Sequence, residues 1–211
     1  MAVWQTNNIA ASADRCRKEE ETMNRSSRTV KLVEMALLVA IILILAFTPL
    51  GYIKTLGLEI TLIVVPVTIG AIILGPLGGA VLGAVFGITS FIQCFGMSPF
   101  GAVLLGINPF GTFVVCVVSR ILMGWLTGLI YKGLSKFPKM KNWKILIANL
   151  AGPILNTFFF MSTLVIFFFS SDYIQSQAGG LNPFRFVIAF VGVNGLVEAA
   201  ACFVVGSAIT K

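Results

Sequence analysis

The sequence predicts an all-α membrane protein, a six transmembrane helix bundle with both termini cytoplasmic. Three observations carry that prediction. The composition, 57% hydrophobic and 11% charged with a mean hydropathy of +0.97, is too apolar for a soluble domain of 211 residues. Apolar runs long enough to cross a bilayer recur along the chain between short polar connections. The cations are asymmetric: of the 15 Lys and Arg, six fall before the middle of the first apolar run, five lie in the 132–144 segment and one is Lys211, against only Lys54 and Arg185 in the alternate connections. By the positive-inside rule, the ends and the 132–144 segment are cytosolic.

Residues 1–29 are polar and charged without apolar periodicity and read as a disordered cytosolic tail, of which residues 1–22 are readable as an extension of the start. Residues 30–211 are expected to form one six-helix transmembrane domain. Its first span is about 30–47, ended by the turn sequence Thr48-Pro49-Leu50-Gly51. The second, about 60–74, and the third, about 76–94, are separated only by Gly75-Pro76, which predicts an antiparallel pair with almost no loop. The fourth is about 110–131, the fifth about 144–169 and the sixth about 185–209. Three longer, non-helical connections, 48–59, 95–109 and 170–184, then share the outer side. Two of them contain Phe95-Gly96-Met97-Ser98-Pro99-Phe100-Gly101 and Gly179-Gly180-Leu181-Asn182-Pro183-Phe184, readable either as mobile lids or as interfacial turns with aromatic anchors.

Small residues mark close helix approaches. Gly75, Gly79, Gly83 and Gly87 recur every four positions, a stripe that predicts packing inside the bundle. Ala36 and Ala40 make a second stripe on the first helix, with Glu34 nearby, compatible with internal packing or with a partner-facing surface. Cys16, Cys94, Cys116 and Cys202 are scattered without metal-ligand spacing and read as reduced packing residues. Histidine is absent, so no metal site is expected. With no interleaving of aromatic and basic residues there is no nucleic-acid surface; the +7 formal charge favours anionic membrane lipid.

One charge lies inside a span. Arg120 sits near the middle of the fourth, where a lone guanidinium costs roughly 2.5–3.5 kcal/mol on insertion scales and so faces a partner or a wet cavity. At 1.5 Å per residue it lies roughly 15 Å below the outer end of its helix, Asn194 roughly 14 Å, and Asn156 and Glu198 roughly 20 Å. These four share a layer, and Asn194 and Glu198, four apart, share a helix face. The substrate-binding candidates are therefore Arg120, Asn156, Thr157, Asn194 and Glu198, with Gln93 and Asn108 at the outer rim. A cation, an anion and several amides at one depth suit a small ligand with a carboxylate and hydrogen-bonding groups. The alternative is a structural network in which Arg120 pairs with Glu198.

Six spans with both ends inside, the Ala36-x-x-x-Ala40 pattern, and the runs Ala36-Leu-Leu-Val-Ala-Ile to Thr48-Pro-Leu-Gly-Tyr-Ile and Ile63-Val-Val-Pro-Val-Thr-Ile-Gly-Ala-Ile-Ile-Leu-Gly-Pro-Leu-Gly-Gly-Ala resemble the substrate-binding component of an energy-coupling factor (ECF) vitamin transporter, most of all its pantothenate-type branch, over Val30 to Lys211. The resemblance implies a multi-pass protein of the bacterial plasma membrane that captures a vitamin under its outer loops and topples to deliver it. It implies docking through Ala36 and Ala40 on a transmembrane coupling subunit, the T component, attached to two ATPase subunits. The chain has no G-x-x-x-x-G-K-[ST] phosphate loop, so ATP, the only cofactor implied, belongs to those partners. For pantothenate, Arg120 would neutralise the carboxylate while Asn156, Asn194 and Asn108 meet its amide and hydroxyls; Glu198 would repel it unless paired or protonated. Other vitamins or precursors, such as hydroxymethylpyrimidine, riboflavin or folate, stay open, as does an ion-coupled secondary transporter. An enzyme is disfavoured because no nucleophile–base pair or carboxylate pair is evident.

Overall fold

The computed structural model describes residues 28–48, 52–55, 58–136, 143–171, 174–175 and 202. Contacts divide the chain into two units, Met1–Leu37 and Leu38–Lys211. Of the first, the described part is the opening of helix α1 (Arg28–Phe47), which runs on into the second. There follow a β-hairpin, β1 (Tyr52–Thr55) and β2 (Leu58–Thr61), then α2 (Val64–Ile73), α3 (Gly75–Gln93), α4 (Pro99–Ile107), α5 (Pro109–Leu134) and α6 (Trp143–Phe168). Among the described residues α1, α3, α5 and α6 are long and apolar enough to cross a membrane, and α2 is a shorter apolar helix. Apart from Arg28, Thr29 and Cys202, the expected tail and sixth span lie outside the described residues.

Two connections differ from expectation and a third agrees with it. The 48–59 segment is not merely non-helical: Tyr52 pairs with Thr61 and Thr55 with Leu58 in antiparallel register. That pairing places Ile60 and Thr61, the expected start of the second span, in β2, and α2 is only 10 residues long. The 95–109 segment was expected to lack helix and contains α4. Its start is set locally: Ser98 is extended, its Oγ accepts from the Gly101 N–H at 3.2 Å, and Pro99 occupies the first turn where a missing N–H costs nothing. The α2–α3 turn agrees with expectation. Leu74 alone separates the helices, and Gly75 takes φ +81°, which disfavours any residue with a Cβ.

The glycine stripe decides what α3 packs against. A Cβ at Gly79 would strike the Gly124 carbonyl and one at Gly83 the Arg120 carbonyl, while one at Gly87 would lie 2.7 Å from Val117 Cα. On α5, Gly124 reciprocally faces Gly79, and a Cβ at Gly128 would lie 2.6 Å from Pro76 Cα. The positions run in opposite senses, so α3 and α5 are antiparallel with backbones in contact. Phe91 and Phe113 extend the seam edge-to-face at 5.5 Å. Lipid is as apolar as leucine, so this contact is driven by close packing and not by hydrophobic transfer. Its energy resides in many short dispersion contacts that only side-chain-free positions permit.

Candidate functional site

The seam fixes the backbone of Arg120, and a π-helical turn aims its side chain. Residues Val114–Val118 are wound as a π-helix, with the Ser119 N–H donating to the Val114 carbonyl five residues back. One extra residue per turn rotates everything beyond it, and such turns occur often at functional positions. The Val115 carbonyl accepts from Arg120 Nη1 at 2.6 Å and from Ser119 Oγ; Nη1 also lies 3.4 Å from Ser119 Oγ.

Arg120 is buried, 6% exposed. Its carbon lies 5.1 Å from the centre of the Phe86 ring on α3 and 5.2 Å from that of Phe160 on α6. A desolvated cation between ring faces is stabilised by about 2 kcal/mol or more per good contact. Two rings thus lie within cation–π reach of the guanidinium and one terminal nitrogen is committed to Val115. Buried Nε has no hydrogen-bond partner among the described residues. An N–H left unmatched in an apolar interior costs about 1–3 kcal/mol, so this edge of the guanidinium is where an acceptor would be most stabilising. The donor set, a planar fork with a free edge, suits a carboxylate.

The other sequence-predicted residues separate. Asn156 is buried on α6, one turn before Phe160 and hence on the same side of that helix. Thr157 beside it is half-buried. Gln93 is buried, but its Nε2 donates to the Ala46 carbonyl at the end of α1. Asn108 caps α5, its Oδ1 accepting from the Gly111 N–H at 3.0 Å. Both rim residues therefore hold helix ends in place. Asn194 and Glu198 lie outside the described residues, as does any pairing of Arg120 with Glu198. Ala40 is exposed, and Ala36, one turn earlier on α1, is exposed as well.

Sequence reasoning passed over Ser119, the Val115 carbonyl, Phe86 and Phe160. The two phenylalanines are among 18 in the chain and carried no distinguishing signal. It also passed over three further buried polar residues, Thr68 on α2, Thr127 on α5 and Asn149 on α6. The two threonine hydroxyls donate to Val65 and Met123 within their own helices, which satisfies them locally.

A comparison against curated proteins finds no match. The family described as ECF transporter, substrate-specific component, matches residues 30–209, which takes in α1 to α6 and the Arg120 site. The chain belongs to that family: it is a substrate-specific membrane component of an ECF importer.

Proposed function

We propose that the chain captures a small vitamin bearing a carboxylate, with pantothenate the best fit, at the outer face of a bacterial plasma membrane. Arg120 is the anion receptor, and its buried Nε, unmatched among the described residues, is the observation that carries the reading. A ligand carboxylate accepts from the Nε edge, while Phe86 and Phe160 hold the guanidinium plane and exclude water from it. Asn156 and Thr157 on α6, with Asn194 and Glu198 from the sixth span, meet the amide and hydroxyls. The low dielectric around the pair makes discrimination against uncharged analogues large, since each would leave the cation buried without an anion.

Components of this family work with a transmembrane coupling component and with ATPases. In our reading the coupling subunit docks on the Ala36–Ala40 face of α1. The second unit supports it: Leu38, Ile42 and Ala46 are buried at four-residue spacing, whereas Ala40 and Ile44, two positions offset and therefore on the opposite side, are exposed. A small-residue face lets another helix approach closely.

Calorimetric titration of the detergent-purified full chain tests the ligand. Pantothenate should bind tightly, and its alcohol analogue, in which the carboxylate is replaced by a hydroxymethyl group, should bind at least about 100-fold more weakly, the equivalent of about 2.7 kcal/mol. In Arg120→Ala that preference should vanish. Preferred binding of folate would keep the anion receptor and change the vitamin. Preferred binding of riboflavin or hydroxymethylpyrimidine would overturn the reading.

A further inference from the structure

We propose that Cys94 and Cys116 are a thiol–disulfide pair whose oxidation state sets how firmly α4 is seated on the bundle. The Cys94 Sγ lies 3.8 Å from the Cys116 Sγ, and both residues are buried. One cysteine terminates α3, the other lies in the π turn of α5, one turn before Arg120. The pair is separated by 22 positions in sequence, so only the fold brings it together.

The same sulfur is the seat of α4. A Cβ at Gly101 would lie 2.6 Å from Cys94 Sγ, so Gly101 is the point at which α4 rests directly on the thiol. Leu105, one turn on, packs against the cluster of Cys94, Cys116 and Val117. Cys94 Sγ also lies 3.3 Å from the Ser90 carbonyl, the position a thiol proton would occupy. Immediately after it, Phe95, Gly96 and Met97 are exposed and Gly96 adopts φ +139°, a turn next to which local opening gives small oxidants a route to the pair.

The oxidant is a low-molecular-weight disulfide, RS–SR. The thiolate of one cysteine displaces RS⁻ to give a mixed disulfide, the second cysteine displaces the other, and two RSH leave carrying the two protons and two electrons. One sulfur–sulfur bond forms within the protein and one breaks in the oxidant. To bond, the sulfurs close from 3.8 Å to about 2.05 Å, which changes the contact that Gly101 makes with Cys94 and so loosens the seat of α4. The proposal is independent of the vitamin carried.

The test uses the full chain in detergent, treated with oxidised glutathione and then with dithiothreitol. Peptide mapping without reduction should recover a Cys94–Cys116 link, and hydrogen exchange should show the Pro99–Ile107 amides exchanging about tenfold faster in the oxidised form, restored by reductant. Cys116→Ser and, separately, Cys116→Ala should show neither change. Two results overturn the proposal: a folded protein that forms no such link while the denatured chain does, or a link that leaves α4 exchange unaltered.

Discussion

Helices α1 and α5 are both apolar enough to cross a membrane, yet they are built for different neighbours. From Leu38 onward α1 buries one narrow stripe, with Ile42 fully buried, and leaves large side chains on the other side, with Ile44 63% exposed. The middle of α5 is enclosed on several sides: by backbone of α3 at Gly124 and Gly83, by Phe86, and by Phe160 of α6. The difference does not lie in how apolar the two helices are. It lies in the glycines of α5 and in its mid-span charge, Arg120, because within a bilayer these are the features for which lipid cannot substitute.

The largest effect is expected where the two helices differ most. Gly83→Leu on the facing helix drives a side chain into the Arg120 carbonyl, and backbone on both sides leaves no flexible neighbour to yield. Destabilisation should reach or exceed the about 1–3 kcal/mol typical of overpacking, seen as loss of a cooperative thermal transition in detergent. An unchanged transition would mean that the α3–α5 seam separates without cost. Next is Arg120→Lys. It keeps the charge but loses the fork and the Nε edge, so pantothenate affinity should fall about tenfold or more with the fold intact. Full affinity would reduce the receptor to a point charge.

Smaller again, Phe86→Leu removes one covering ring at similar volume and should weaken the carboxylate ligand by about 0.5–2 kcal/mol while affecting the alcohol analogue less. Equal losses for both ligands would assign Phe86 to packing alone. Smallest for the isolated protein is Ala40→Leu: thermal stability should stay within about 0.5 kcal/mol and ligand binding should persist, while uptake by the assembled importer is lost. Lost binding by the isolated chain would move Ala40 from a docking surface into the bundle.

How far the sequence was readable follows the same division. The starts and ends of α3, α5 and α6 fell within a few residues of expectation because spans are limited by bilayer thickness and punctuated by Gly75-Pro76 and Asn108-Pro109. The second span was overextended by its first residues, because Ile60 and Thr61 run straight into the apolar stretch that follows and only their pairing with Ile53 and Tyr52 shows them to be strand. Helix α4 was missed although Ser98-Pro99 is a helix-start signal, since the surrounding glycines read as a loop.

The sequence by itself determined the membrane class, most of the helices, the small-residue contact face of α3 and the singular position of Arg120. A charge or a glycine repeat within an apolar run has few meanings there, so composition alone exposes it. Only the tertiary structure decided that the stripe meets α5, that Arg120 lies within about 5 Å of the Phe86 and Phe160 rings with Nη1 spent on Val115, and that Cys94 meets Cys116 beside Gly101. The physical reason is that inward and outward faces of a membrane helix are both apolar. A soluble helix states in its sequence which side is buried, whereas here the partners of each face are chosen by shape, which is known only once the helices are together.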